Sequence, residues 1–356
     1  FELNSYAGGS ITSDGYTGLT IRNGFLTTSP LHGISIFDSN NIEISNIEMG
    51  ENGLCPVTID ADDSTFSNIN ISGHGGSGCD VFTLTGSRNS LSDLDINDFW
   101  GGGAGIGLYI TGDYNTITTS DFSGLNTGIK ISGSNNNITN SNIAPGSDDV
   151  YVSSGTNNML LDTAISEGNA VDGGAELYTK YSYRTHVRGV NSEDVNGATV
   201  HIRNKSSDLM FTETTGADGY IPNNLEIIQS ANIGGTETFY SPYNISAWNA
   251  SDSGNVSYTV TGSDTNHIIT ISSSDSTPPV LSVVWPEVNH AYNLANIDFD
   301  YSASDNVELD SCWYSTDDGA TNSSRQNCGV NWTLSTSAGD NNWTVFANDT
   351  SNNLAW

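Results

Sequence analysis

Leu108-Tyr109-Ile110, a turn, Asn115-Thr116-Ile117 and then, 21 residues on, Ile129-Lys130-Ile131, a turn and Asn136-Asn137-Ile138: this stretch decides the fold. Each unit is a short apolar-alternating strand, a Gly/Ser/Asn turn and a second alternating strand. The unit can be followed outward in both directions. Its opening strands include Ile34-Ser35-Ile36, Val57-Thr58-Ile59, Phe82-Thr83-Leu84 and Val150-Tyr151-Val152. Its turns include Asn40-Asn41-Ile42, Ser64-Thr65-Phe66, Asn89-Ser90-Leu91 and Asn157-Asn158-Met159. Counted on the apolar residue from Ile42 to Met159, the steps are 24, 25, 26, 21 and 21. A strand–turn–strand period of that length predicts a solenoid over residues 1–174. Apolar side chains then point inward and stack on their equivalents about 4.8 Å away. Asn at the turn is expected to adopt a left-handed conformation and to hydrogen-bond its neighbour in a ladder.

The repeat resembles the right-handed parallel β-helix of carbohydrate-active enzymes, copper-site maturation proteins and many archaeal surface proteins. Cys55 and Cys79 lie 24 residues apart, each just before an opening strand. Equivalent positions on adjacent coils fall within disulfide reach, so a bridge clipping two coils is expected.

The composition suits turn-rich β structure. Apolar content is 35% and charged content 14%, with 38 Gly, and no window shows a sustained 3.6-residue apolar period, so helix is not expected. Nine basic against 41 acidic residues give a net charge of −32, which argues against nucleic acid and anionic membranes as partners. No apolar run reaches the roughly 18–20 residues of a membrane span, and no signal peptide is present. The start at Phe1 reads as a mature or partial chain. Ten Asn-x-Ser/Thr sequons (Asn70, Asn137, Asn204, Asn244, Asn249, Asn255, Asn322, Asn331, Asn342, Asn348) crowd after residue 200 and favour an exported glycoprotein. The four cysteines then read as two disulfides.

Parallel β-helices often cleave polysaccharides. Asp62-Asp63, Gly73-His74-Gly75 and Ile129-Lys130 resemble elements of polygalacturonase-like enzymes. That resemblance implies two carboxylates flanking a glycosidic oxygen. The spacing opposes it: Asp63 and His74 are 11 residues apart, half a coil, and so fall on different faces. A lyase needs a basic residue beside cation-binding carboxylates, yet residues 1–176 hold only Arg22, Arg88 and Lys130, on different coils. No catalytic residue is assigned. No zinc spacing and no Ser/His/Asp set is present. Asp62-Asp63, Asp148-Asp149 and Asp317-Asp318 could hold Ca2+ with backbone carbonyls, a solvated acidic turn being the alternative; no other cofactor is implied.

After Gly173-Gly174 the repeat stops. Residues 175–276 alternate with turn signals, and Asn196-Gly197-Ala198-Thr199-Val200 followed by Thr215-Gly216-Ala217-Asp218-Gly219-Tyr220 resembles the carboxypeptidase-regulatory-like sandwich of extracellular modular proteins. Lys180, Arg184, Arg188, Arg203 and Lys205 gather here, to face an acidic neighbour or solvent. Thr277-Pro278-Pro279 marks a stiff boundary. Within residues 277–356, the run from Asp305 to Ser315 and the run from Trp343 to Asp349 resemble the immunoglobulin-like repeats of archaeal surface proteins. Cys312 and Cys328 are expected to bridge two strands over Trp313, with Trp332 and Trp343 in the same core. The chain reaches Trp356 before any closing strand, which implies a fragment or a strand supplied by another subunit.

The expected fold is therefore all-β, a right-handed parallel β-helix followed by two β-sandwich (Ig-like) domains. The expected role is a non-catalytic extracellular structural or adhesive subunit of a surface appendage, filament, sheath or cell-envelope layer. Its expected partners are other copies of itself and surface glycans. The alternative is a carbohydrate-active enzyme or polysaccharide-binding β-helix, with a cleft lined by Tyr109, Tyr151 and acidic residues. A phage or viral tailspike-like adhesin shares the β-helix but leaves the sequons unexplained.

Overall fold

The computed structural model describes residues 11–27, 32–50, 55–72, 80–97, 105–166, 168–250, 252–273 and 275–356. Every regular element among them is a strand. The first sheet stacks eight parallel strands: Ile11–Asp14, His32–Asn40, Cys55–Asp62, Phe82–Leu84, Ile106–Ile110, Thr127–Ile131, Asp148–Val152 and Asn169–Val171. The second stacks Thr20–Thr27, Glu43–Gly50, Thr65–Ser72 and Ser90–Asn97. The next three rungs of it are each broken into two short strands, as in Thr116–Thr118 and Asp121–Ser123. This is the expected parallel β-helix.

Its core is a set of apolar columns. Ile34, Val57, Phe82, Leu108, Ile129 and Val150 are in register on the first sheet. Ile21, Ile44, Phe66, Leu91, Ile117, Ile138 and Leu160 form a second column. Leu26, Met49, Ile71, Ile96, Phe122 and Ile143 form a third. All are buried, and each contributes roughly 1.5–3 kcal/mol. Two sequence alignments shift by a residue or two. Ile44, not Ile42, stands above Phe66, and Leu160, not Met159, stands above Ile138.

The Asn turn separates into two structural roles. The left-handed residue faces outward, exposed at every rung but the half-buried Asn135: Asn41, Asp63, Arg88, Tyr114, Asn135 and Asn157 all have φ between 53° and 61°. The residue after it points inward, giving the column Ile42, Ser64, Asn89, Asn115, Asn136 and Asn158. Each of the last four offers its side-chain oxygen to the main-chain N–H of the preceding rung at 2.8–3.0 Å. Each amide nitrogen donates to a carbonyl of the preceding rung: Ala61, Gly86, Gly112 and Gly133. The carbonyl-bearing glycines form their own column, because a Cβ on Gly86, Gly112, Gly133 or Gly155 would lie 1.7–2.0 Å from the main-chain oxygen below. A second left-handed corner runs through Asn23, Asn46, Asn68, Asp93, Thr119, Asn140 and Asp162. Tyr114 is the least suited of the first-corner residues, being bulky at φ 59° and 61% exposed. Tyr114→Asn is expected to raise the unfolding free energy by about 1 kcal/mol, read from the denaturant midpoint at constant slope.

The strand Glu176–Gly189 continues the stack and then leaves it. Residues 177–180 pair in parallel with Asn158–Leu161. Residues 176–183 also pair antiparallel with Leu225–Ile233, and residues 183–189 run parallel to Asp264–Ser273. The antiparallel pairs of Thr199–Arg203 with Leu209–Thr214 and with Tyr243–Asn249 complete this middle module. Its core comprises Tyr183, Val187, Val200, Ile202, Ile227, Tyr243, Ile245 and Ile269. The basic stretch is used inside the module: Lys180 pairs with Glu226 at 3.3 Å, and Arg188 with Asp194 at 3.8 Å. Arg184 lies 4.5 Å above the Tyr220 ring.

A separate unit holds residues 272–356. It contains two three-stranded antiparallel sheets, Val280–Trp285 with Asn296–Ser304 and Trp332–Ser335, and Leu309–Ser315 with Thr344–Asp349 and Leu354–Ala355. Phe299, Tyr301, Leu334, Val345 and Ala347 form its core, with Trp332 and Trp343 against it. Cys312 and Cys328 are bridged, with Cα atoms 5.0 Å apart. Three details differ from expectation. Cys328 lies in the loop beside Gln326, which pairs with Cys312, so the bridge joins strand to loop and not strand to strand. Trp313 alternates to the opposite face of its strand from Cys312, stacks on Phe346 at 5.7 Å and carries Arg325 above it. Leu354–Ala355 does pair with the strand before it, as a two-residue edge. The proposed Cys55–Cys79 bridge lies outside the described residues.

Candidate functional site

The outward positions of the first sheet form a column: Thr58, Thr83, Tyr109, Lys130, Tyr151 and Ala170. Strand alternation places them there, since their neighbours Ile59, Leu84, Ile110, Ile131 and Val152 face the core. Lys130 lies between two aromatic rings, its Nζ 4.8 Å from the Tyr109 centroid and 5.5 Å from that of Tyr151. The Tyr109 hydroxyl is 3.1 Å from Ser132 Oγ, and the Tyr151 hydroxyl donates to Asp172 at 2.5 Å. Burial pushes the half-buried Asp80 carboxyl up, and the Lys130 ammonium only partly offsets this. Tyr109 and Tyr151, expected to line a cleft with acidic residues, stand in one outward column with Lys130, with Asp172 bonded to Tyr151 and Asp80 near enough for Lys130 to act on its charge. Such a patch can stack on a sugar ring and ion-pair with an acidic one.

A second feature was not read from the sequence. Along the second corner, Asp93, Asp95, Asp121 and Asp162 line an open groove of about 600 Å3. Asp95 and Asp121 are partners on adjacent rungs, which brings two carboxylates side by side on this face. Each is nevertheless held by the chain. Thr119 donates to Asp93, Asn97 to Asp95, Asn142 to Asp121, and Ser182 and Ser263 to Asp162. The signal available in the sequence was Asp or Asn recurring at the second corner, which the first corner's stronger Asn pattern overshadowed.

Among the described residues, those resembling polygalacturonase elements fall on different parts of the coil. Asp62 and Asp63 sit at the first corner and both bond Arg88, whose Nε is 2.7 Å from Asp63 Oδ1. Lys130 belongs to the outward column of the first sheet. His74 lies outside the described residues. Arg22, the remaining basic side chain of residues 1–176, pairs with Glu43 at 2.6 Å.

Each of the three acidic pairs considered for Ca2+ has at least one carboxyl held by the chain. Asp62-Asp63 binds Arg88. Buried Asp149 accepts from the Gly168 N–H and the Ser166 hydroxyl. Asp317 accepts from Ser315 and from the Thr321 N–H, while Asn342 donates to Asp318.

Hydrogen bonding to Arg88 outweighs burial and holds the Asp63 carboxyl below the usual carboxylate range. A depressed folded-state pKa contributes stability above the unfolded value and loses it as pH falls through the folded one. The wild-type melting temperature is therefore expected to drop below about pH 4 more steeply than that of Asp63→Asn. Coincident melting-temperature profiles for the two proteins between pH 5 and 2 would show that the pair has no linkage to folding.

Among the sequons, Asn244, Asn255, Asn322, Asn331 and Asn342 are exposed. Asn204 and Asn348 are buried, with their amides bonded to Asp208 and Asp310. Compared with known proteins, the chain matches no family model and no curated protein.

Proposed function

We propose that this chain is a non-catalytic extracellular subunit, structural or adhesive, of a surface appendage, filament, sheath or cell-envelope layer. The observation that carries this reading is the buried ladder from Ser64 to Asn158, fused to the glycine column. Each rung satisfies the polar groups of the one before, which makes a scaffold of fixed rise. The two antiparallel modules are read as β-sandwiches, the last of them immunoglobulin-like, in keeping with the resemblance to archaeal surface proteins. An edge strand, Val280–Trp285, exposes Val280, Val283 and Val284 and suits strand addition by a further copy. Glycans are proposed at exposed Asn244, Asn255, Asn322 and Asn331. Electron microscopy of native material tests the reading. Ordered filaments or a lattice are expected, and a dispersed monomer that depolymerises acidic glycans overturns it.

A second reading has a specific observation in its favour, the Tyr109–Lys130–Tyr151 column with Asp80 beside it. It would make the solenoid a polysaccharide-binding face. Binding to an acidic polysaccharide should then fall at least tenfold in Lys130→Ala and in Tyr151→Ala. Unchanged retardation of both variants in affinity electrophoresis rejects it.

A further inference from the structure

Three carboxyl groups far apart in the sequence meet in the C-terminal unit. Asp275 lies on the segment before Val280–Trp285, Asp305 on the turn after Asn296–Ser304, and Asp349 at the end of Thr344–Asp349. Each offers an oxygen within 4.8 Å of those of the other two. Asp349 is 1% exposed. The chain holds each carboxyl in a set orientation. Asp275 Oδ1 accepts from the Thr277 N–H at 2.9 Å and from Asn306 Nδ2 at 3.1 Å. Asp305 Oδ2 accepts from the Val307 and Glu308 N–H groups at 2.8 and 3.0 Å. Asp349 Oδ1 accepts from the Ser351 and Asn353 N–H groups at 2.9 and 2.8 Å.

An independent observation points to a ligand. The remaining oxygens of two of these carboxyls, Asp275 Oδ2 and Asp305 Oδ1, are sealed from solvent and have no hydrogen-bond donor. A carboxylate oxygen shut off from water and from any donor is a rare and costly arrangement. Here two occur in one cluster, and none of the three carboxyls has a Lys, Arg or His ion-pair partner among the described residues. Like charges gathered away from water call for a cation.

We propose that Asp275, Asp305 and Asp349 bind one Ca2+ ion. The donors are all hard oxygens, without His or Cys, which excludes a zinc-type site. Three oxygens this close can share one ion at Ca2+–oxygen distances of about 2.4 Å, and Ca2+ accepts such irregular carboxylate sets, whereas Mg2+ demands near-octahedral geometry and dehydrates reluctantly. Asn353, whose Nδ2 donates to both the Asp275 carbonyl and Asp349 Oδ2, already ties two of the three stretches together. Asn306, beside Asp305, bonds Asp275 in the same way, and the ion would add one ligand bridge from the leading segment of the module to both turns. This site shares no residue with the three acidic pairs singled out in the sequence, and it is independent of the proposed structural role.

The test uses the full chain, freed of metal by chelation and desalting, and titrated with CaCl2 by calorimetry. The native chain is expected to take up one Ca2+ ion more than Asp275→Asn or Asp305→Asn. Both variants keep the oxygen that accepts from the neighbouring N–H groups, and near-UV circular dichroism verifies their folding. Saturating Ca2+ should also raise the melting temperature of the C-terminal unit by about 10 °C or more in the native chain and not in the variants. The exposed-surface control Asp340→Asn should behave as the native chain. Absence of Ca2+ uptake by the native chain overturns the proposal. So does unchanged uptake in both variants, or Mg2+ binding as tight as Ca2+ at the same site.

Discussion

Gly112→Ala is expected to destabilise the solenoid by about 4 kcal/mol or more, one of the two largest single-residue effects anticipated in this chain. A Cβ at Gly112 would stand 1.9 Å from the Gly86 carbonyl oxygen, 2.5 Å from its carbon and 2.9 Å from the Thr85 oxygen. All three atoms are main chain, so no side chain can swing aside. Overpacking against flexible neighbours commonly costs about 1–3 kcal/mol; here two rungs would have to separate. Separation would also stretch the bonds that span the same two rungs, from Asn115 Nδ2 to the Gly86 carbonyl and from the Asn89 N–H to Asn115 Oδ1. Gly50→Ala is the matched control, because nothing lies within 4 Å of its added Cβ. Urea denaturation followed by far-UV circular dichroism should place Gly50→Ala within about 0.5 kcal/mol of the native chain. Equal midpoints for the two variants would show that the rungs yield freely and that the glycine column is not a constraint.

Asn136→Leu should cost about 3 kcal/mol by a different route. Leucine keeps the branched shape and the number of heavy atoms, although its methyl groups are bulkier than the amide oxygen and nitrogen and add a packing cost of their own. What is lost is the acceptor for the Asn115 N–H, at 2.9 Å, and the donor to the Gly112 carbonyl, at 3.1 Å. Asn136 is fully buried, so water cannot replace either bond. Each orphaned main-chain group costs about 1–3 kcal/mol. Asn135→Leu, one residue earlier and on the outward left-handed side, removes an acceptor that only Asn157 Nδ2 uses and water can substitute. Its penalty should come mainly from the left-handed backbone, about 1 kcal/mol. If the two leucine variants lose stability equally, the buried ladder has no special weight.

The parallel β-helix was legible because two signals coincide at every rung: strand alternation and a turn amide. Where either weakens, the reading slips. Ile42 is a core residue, but it stands in the ladder column and not in the Ile44 column; the ladder accepts an apolar side chain there because Ser64 Oγ accepts from the Ile42 N–H. The rung at residues 177–180 was invisible, since Thr179 stands where the core column had Leu160 and the turn before it carries no Asn. The acidic groove was missed because Asp93, Asp121 and Asp162 read one by one as ordinary polar turn residues. Asp80 carries no pattern at all; only its burial near Lys130 distinguishes it. The Asp275, Asp305 and Asp349 cluster depends on three turns whose convergence no local spacing encodes. The alternation that put Cys312 in a core also sent Trp313 out of it, a consequence of period two that the expectation of a tryptophan over the disulfide overlooked.

The strand Glu176–Gly189 has a consequence for how the molecule can be taken apart. It is at once the last rung against Asn158–Leu161 and the strand on which Leu225–Ile233 and Asp264–Ser273 are laid. A cut at Gly174 would not release a finished solenoid. It would leave the strand Asn158–Leu161 with a bare parallel edge, a template for aggregation, and strip the middle module of its longest strand. Solenoid and middle module can therefore be swapped, expressed or inherited only as a pair.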